Sequence, residues 1–387
     1  GTVIAMRVLL ALTYYRPYTS GLTIYAERLA IGLAARGHHV TVLTSQYDPS
    51  LPRTESLNGV HVVRVPVAAR VSKGVIMPTF GIEATKLALS HDVMSLHLPQ
   101  FDAPGLATRG WLLGKPVVLT YHCDLQLPPG WFNRVVDRVV QFQNEMAGRL
   151  ATRIVAYTDD FATHSPYLSR FKSKVTVIPP PVEVMASSDD DVAAFRQRYN
   201  LTGPVIGMAA RLAAEKGVEV LLGALPAIVA QHPDARVLFA GPFEQVLGEE
   251  AYARRLAPLF EQYKQHWTFL GTLNQRELAT FFRACDVITV PSLNSTESFG
   301  LVQVEAMLLG TPSVASNLPG VRQPVIQTGM GLVVPIGDAP ALGDALLRIL
   351  ADPSHYHRTR AEVEARFSTP LTIDAYERLF AHLSARN

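Results

Sequence analysis

The feature that most constrains this chain is a rhythm. A short apolar run is followed by an amphipathic helical stretch, and the pair recurs along almost the whole length. Such alternation calls for a parallel sheet with helices on both faces. Apolar runs at 7–12, 39–44, 60–65, 93–97, 116–121, 153–157 and 175–178 read as strands, and 23–36, 80–90, 104–113 and 131–150 as helices. Pro179-Pro180-Pro181 then stops any ladder or helix. Ser187-Ser188-Asp189-Asp190-Asp191 offers caps for a new helix. The rhythm restarts with strands at 205–210, 236–240, 268–270, 287–290, 313–315 and 332–334. Helices are expected at 217–231, 249–263, 275–284 and 301–309, and through much of 338–385.

The 387 residues suit two domains of ~100–200 residues each. The proline run sets the boundary: a first doubly wound domain over 1–183 and a second over 184–365. A terminal helix in 366–387 is expected to pack back on the first. Ligands of such sheets bind beyond the carboxyl ends of the strands, so a cleft between the two domains is the expected site.

Composition removes several classes. A net charge of +2 is too small for a dedicated nucleic-acid binder. No run reaches the ~18 consecutive apolar residues of a membrane-spanning helix. Two cysteines, Cys123 and Cys285, cannot build a disulfide framework or a four-thiolate metal site, and they fit a reducing compartment. The expected location is the cytoplasm, or the inner face of the cytoplasmic membrane. Residues 1–183 hold 18 basic and 12 acidic side chains, while 184–387 hold 17 and 21. A basic first half suits an anionic membrane surface or an acidic acceptor; chance drift is the competing explanation.

Chemistry-bearing residues gather after the strands. Arg211 follows the run at 205–210, and Lys216 opens the next helix. A guanidinium engages two oxygens at once and an ammonium acts as a point charge, so the pair suits a diphosphate. A surface arginine with a Glu215–Lys216 pair is the bland alternative. The segment Glu297-Ser298-Phe299-Gly300-Leu301-Val302-Gln303-Val304-Glu305 follows the run at 287–290. Gly300 permits close backbone approach, and the amides of 300–302 open a helix, which favours an anion. Glu297 and Glu305 are acceptors for sugar hydroxyls, or else two solvated glutamates. His122 ends the run at 116–121, where it can bond a substrate hydroxyl or serve as a structural histidine. Asp102, Asp124 and His97-Leu98-Pro99 end or follow other runs. Gly21, within Tyr18-Thr19-Ser20-Gly21-Leu22, sits where the first helix begins and can let amides approach a phosphate. The glycine fingerprint of nicotinamide dinucleotides, the ATP phosphate loop and the nucleophile elbow are missing from the sequence. No His/Asp/Glu trio has metal-ligand spacing, so neither cofactor nor metal is expected.

Together these motifs resemble the retaining glycosyltransferases of family 4 over nearly the whole chain. The most specific are Arg211…Glu215-Lys216-Gly217 and Glu297-x7-Glu305; 18–22, His122 and Cys285-Asp286-Val287…Pro291-Ser292 are secondary matches. The resemblance implies an α/β chain of the GT-B fold, two facing Rossmann-like domains, with the acceptor on 1–183 and the nucleotide sugar on 184–365. It implies a UDP- or GDP-sugar donor, UDP being favoured, and a hydroxyl acceptor, lipid or glycan, with no nucleic acid. Arg211 and Lys216 would hold the diphosphate. Glu297 would meet the sugar hydroxyls beside Phe299, Gly300 and Leu301, and amides near Leu301 and Val302 would touch phosphate. Glu305 would bind the ribose and Gly271-Thr272-Leu273 would cradle the base. Gly21 would lie near the phosphate and His122 near the transferred sugar. The catalytic set so implied is His122, Arg211, Lys216 and Glu297, and the implied chemistry retains configuration without metal or protein nucleophile.

Two departures stand out. Ser20-Gly21 replaces a pair of glycines common in relatives, and Pro180-Pro181-Val182-Glu183 replaces their Asn-Gly-Val-Asp. The apolar and basic stretch 131–140 corresponds to a region that touches membrane in similar enzymes acting on lipids; the alternative is a core-packed helix. Competing functions are an epimerase or phosphorylase of the same fold, and a sugar-nucleotide-binding protein without activity.

Overall fold

The structure is a computed structural model that describes residues 3–71, 74–100, 102–127 and 129–385. The chain forms two compact units, one from Gly1–Pro181 together with Thr369–Asn387, the other from Val182–Ser368.

Unit 1 runs through β1 (Arg7–Ala11), α1 (Gly21–Ala35), β2 (His39–Gln46), β3 (Thr54–Leu57), β4 (Val60–Pro66), β5 (Ala69–Val71), β6 (Gly74–Ile76) and α2 (Phe80–Ser90). It continues through β7 (Val93–Leu98), α3 (Ala103–Leu112), β8 (Val117–Tyr121), α4 (Trp131–Leu150), β9 (Arg153–Ala156), α5 (Asp159–His164) and β10 (Val175–Val177). Its main sheet has the order β10-β9-β8-β7-β1-β2-β4-β3. Residues 8–11 of β1 are wholly buried, as expected of an inner parallel strand covered on both faces. The sheet is not wholly parallel: β3 pairs antiparallel with β4 and alternates exposed with half-buried residues. Its polar Thr-Glu-Ser-Leu sequence carries no strand signal and suits a short edge.

Unit 2 begins at α6 (Asp189–Arg198), capped by Ser188 and Asp191, which bond each other's backbone amides. Then come β11 (Val205–Ala209), α7 (Val218–Gln231), β12 (Arg236–Ala240), α8 (Glu250–Gln262), β13 (Trp267–Gly271), α9 (Gln275–Ala284) and β14 (Val287–Val290). It closes with α10 (Leu301–Leu308), β15 (Ser313–Ser316), α11 (Gln323–Thr328), β16 (Gly331–Val334), α12 (Ala339–Ala351) and α13 (Arg360–Glu364). All pairings in its sheet are parallel, in the order β13-β12-β11-β14-β15-β16.

Helix α14 (Thr369–Ser384) belongs to unit 1 and packs on α1. Its buried Tyr376 shares a 2.6 Å hydrogen bond with Tyr25. Arg36 reaches Asp374 at 2.5 Å and Glu377 at 3.0 Å, and His38 bonds Glu377 at 2.7 Å.

In both units the first strand lies inside the sheet, with the following strand on one side and a later one on the other. The winding reverses between β1 and β7 in unit 1 and between β11 and β14 in unit 2. Ligands of open α/β sheets bind at such switch points, beyond the carboxyl ends of the strands.

Candidate active site

The switch point of unit 2 gathers most of the candidate residues. The loop after β11 holds Arg211 and a short 3-10 turn, Ala214–Lys216. Lys216 therefore does not open a long helix. Gly217 follows it in the left-handed region (φ +71°), and α7 starts at Val218. The reason lies across the switch point: a Cβ on Gly217 would stand 2.0 Å from the Pro291 carbonyl oxygen, so only glycine fits. The same two loops are tied by the Leu293 amide, which donates to the Glu215 carbonyl at 2.9 Å.

That close approach brings the two motifs into contact. Lys216 Nζ lies 2.7 Å from Glu297 Oε2, and Glu297 Oε1 accepts from the Gly300 amide at 3.1 Å. The Glu297 carboxylate holds the Lys216 ammonium above its usual range, against the opposing effect of burial. Gly300 takes φ +74° and ends the loop where α10 begins. One carboxylate thus bridges a cation and the amino end of a helix, the groups that would otherwise receive an anion. Arg211 is half exposed and its Nη2 pairs with Glu215 at 3.0 Å. Glu305 sits half-buried in α10, four residues after the half-buried Leu301 and so on the same side of the helix.

The Phe299 ring is buried and meets Phe367 edge-on at 5.5 Å. Gly271 ends β13 with φ +72°, and Leu273, two residues further on, is half-buried against an apolar cluster. The sequence reading missed Gly241, whose amide donates to the Gly271 carbonyl at 2.8 Å. A Cβ there would stand 2.0 Å from the Ala210 carbonyl oxygen. The signal was present, since Gly241-Pro242 directly follows the strand Arg236–Ala240.

In unit 1, Gly21 is the first residue of α1, and Ser20 caps the helix by accepting from the Thr23 amide at 3.2 Å. Among the described residues, its chain neighbours and own helix backbone aside, no atom lies within 4 Å of where a Gly21 Cβ would be. Internal packing therefore does not demand glycine here. His122 is engaged within the fold. It is buried, and its two ring nitrogens bond His97 and the Tyr157 hydroxyl. Asp124 accepts from Tyr121 at 2.6 Å and Ser165 at 3.2 Å. Asp102, at the start of α3, makes no capping bond, and burial pushes its carboxyl up to about 6 despite Arg109 nearby.

Helix α4 is not packed in the core along its apolar stripe. Trp131 and Phe142 are 76% and 66% exposed, and Phe132, Val135 and Val139 are exposed between them. Only Asn144, Ala147 and Gly148, near its far end, are buried. Among the described residues no helix is long and apolar enough to cross a membrane. Among them, too, no three His, Cys, Asp or Glu side chains gather as a metal would require.

Two family models divide the chain between them. Residues 190–366 match "Glycosyl transferases group 1", and residues 20–181 match "Glycosyl transferase 4-like domain". A phosphatidyl-myo-inositol mannosyltransferase of Mycolicibacterium smegmatis is 28% identical, over 90% of this chain and 85% of its own. A D-inositol 3-phosphate glycosyltransferase of Stackebrandtia nassauensis is 29% identical, over 92% of this chain and 85% of its own. Among solved structures, sucrose-phosphate synthase from Thermosynechococcus elongatus superposes with a TM-score of 0.76 at 26% identity. It covers 99% of this chain and 100% of its own.

Proposed function

This chain belongs to the family 4-type glycosyltransferases with the GT-B fold, and from that premise we propose a retaining, metal-independent hexosyltransferase that uses a UDP- or GDP-sugar. It is an enzyme that moves a sugar from a nucleotide sugar to an acceptor. The proposed acceptor is a hydroxyl of an inositol-type polyol, free or carried by a lipid, in keeping with the names of the two relatives.

The observation that carries this reading is the 2.7 Å contact of Lys216 with Glu297 at the switch point of unit 2. An incoming diphosphate replaces the Glu297 carboxylate as counter-ion of Lys216, and Arg211 takes further oxygens. Glu297, released, accepts from sugar hydroxyls, while the amides at 300–302 meet phosphate and Glu305 the ribose. Gly271 and Leu273 flank the base. Gly21 leaves the amino end of α1 open to an anion in unit 1, the proposed acceptor unit, to which His122 also belongs. In the reaction the bond from the anomeric carbon to the phosphate oxygen breaks as that from the acceptor oxygen forms on the same face. The acceptor proton passes to the departing phosphate. Arg211, Lys216 and the helix amides stabilise the negative charge as it develops there.

The exposed stripe of α4, with Arg134 and Arg138 along the same helix, suits an anionic lipid surface. The cytoplasmic face of the membrane is the location that follows. Flotation with anionic vesicles is expected for the native chain and is expected to be lost in Trp131→Ser/Phe142→Ser. Failure of the native chain to float removes the membrane contact.

The donor is tested by thermal shift with UDP-, GDP- and ADP-sugars, since a ligand bound only by the folded state raises Tm. The nucleotide sugar that binds is then supplied with inositol 3-phosphate or phosphatidylinositol vesicles. Retention appears as an unchanged anomeric configuration in the product, and metal independence as undiminished turnover in EDTA. An inverted product, or loss of turnover in EDTA, rejects the corresponding part of the proposal.

A further inference from the structure

A line of polar rings crosses the carboxyl ends of β7, β8 and β9, and the scheme above leaves it unused. His97 in β7 and His122 just past β8 meet because the strands are parallel neighbours, with His97 opposite Thr120. His97 Nδ1 lies 2.9 Å from His122 Nε2. The other nitrogen of His122 bonds the hydroxyl of Tyr157, just past β9, and His97 Nε2 lies 3.4 Å from the Ser95 hydroxyl. Tyr25 of α1 covers the line: its ring stacks on Tyr157 at 5.4 Å and meets His122 edge-on at 4.6 Å. From α14, the Tyr376 hydroxyl bonds both Tyr25 and Thr120 at 2.6 Å.

A neutral imidazole offers one N–H and one bare nitrogen. Two imidazoles in series therefore order the whole line, with donors pointing from Tyr157 towards Ser95 or the reverse. Protonating either ring reverses a bond or sets two N–H groups face to face. Burial takes the His97 ring down to about 3; burial and then His97 push His122 well below its usual range. Among the described groups around the two rings are Tyr25 from α1, Tyr157 past β9, Ser95 and Thr120 from the strands and Tyr376 from α14, all of them neutral hydroxyls.

We propose that His97 and Tyr157 are positioning residues that clamp His122 in one tautomer and one ring orientation, and so fix the backbone of residues 122–124 for the acceptor. This rests on the reading of unit 1 as the acceptor unit. His122 then moves no proton, which agrees with a reaction whose proton goes to the leaving phosphate.

Long-range 1H–15N NMR reads the tautomer and charge of both rings, with His97→Asn and His122→Asn spectra for assignment. Both are expected to stay neutral, each in one tautomer, between about pH 5 and 8, where free histidine titrates. Tyr157→Phe removes one hydroxyl and keeps the stacked ring. It is expected to mix the His122 tautomers and to lower kcat on inositol 3-phosphate or phosphatidylinositol vesicles about 10-fold to 100-fold. The Tm rise given by UDP or GDP is expected to stay unchanged. His97→Asn, whose amide falls near the place of Nδ1, is expected to keep more of kcat than His97→Leu. Titration of either ring in that pH range, or full kcat in Tyr157→Phe, overturns the proposal. A wild-type chain whose Tm no nucleotide raises overturns the donor reading instead, and the NMR result stands apart from it.

Discussion

In unit 2 the loops after β11 and β14 are joined by an ion pair, Lys216 with Glu297, each about one-fifth exposed. In unit 1 His97 of β7 and the residues just past β8 and β9 are joined through neutral rings that are almost wholly buried. The two solutions respond differently to a ligand. A partly exposed ion pair can exchange one anion for another, because the cation finds an equal partner in a phosphate. A buried neutral line has no such substitute: removing one member leaves a polar group unsatisfied, at about 1–3 kcal/mol. On the proposed reading, the charged mouth rearranges around a charged ligand and the neutral one stays as it is.

Several measurements can break this contrast or sharpen it. The largest effect is expected from Lys216→Ala and Arg211→Ala, each losing about 100-fold or more in turnover because charge stabilisation of the leaving group disappears. Near-native turnover in both would refute a charged mouth in unit 2. Glu297→Gln is expected next, with turnover lowered about 10-fold to 100-fold. The Lys216 ammonium also returns towards its ordinary range, because the carboxylate that raises it is gone. A titration of lysine ammonium signals by NMR checks that shift. Asp102 probes unit 1. Its folded carboxyl ionises at about 6, above the unfolded value, so folding favours the protonated form. Its contribution is fully present below about pH 4 and is lost as pH rises to about 6. Asp102→Asn is therefore expected to raise Tm by a few degrees above pH 6 and to change little near pH 4, a difference that calorimetry at the two pH values reads. The smallest effect belongs to Glu215→Gln, since its partner Arg211 is half exposed. Such pairs contribute about 0–1 kcal/mol, and a drop in Tm of many degrees would show a tighter coupling than that.

Much of this molecule is legible in its sequence where a single periodicity decides the outcome. The helices Phe80–Ser90, Trp131–Leu150 and Gln275–Ala284, and the strands Arg236–Ala240 and Val287–Val290, end where caps, glycines or charges end the apolar pattern. The short antiparallel strand Thr54–Leu57 and the pair Ala69–Val71 with Gly74–Ile76 are not legible, because tertiary pairing rather than propensity forms them. Helix Asp159–His164 did leave a signal in the Thr158 cap, which accepts from the Phe161 amide. In the site, Lys216 and Glu297 follow from their place after strands. The line His97–His122–Tyr157 does not, because it depends on which strands are neighbours. Its outer members, Tyr25 and Tyr376, lie 351 residues apart in the chain. The exposed stripe of α4 was open between surface and core, since a helical pattern of apolar residues reads alike in both settings.

Helix α14 completes unit 1 although every residue of unit 2 precedes it in the chain. During synthesis the ribosome must therefore deliver the whole of unit 2 before the first-made part of the protein can obtain Tyr376, Phe380 and their buried contacts. Domains usually fold in order of emergence; here the portion begun first is finished last. Until then an apolar side of the nascent chain, along Tyr25 and its neighbours, waits uncovered in the cell.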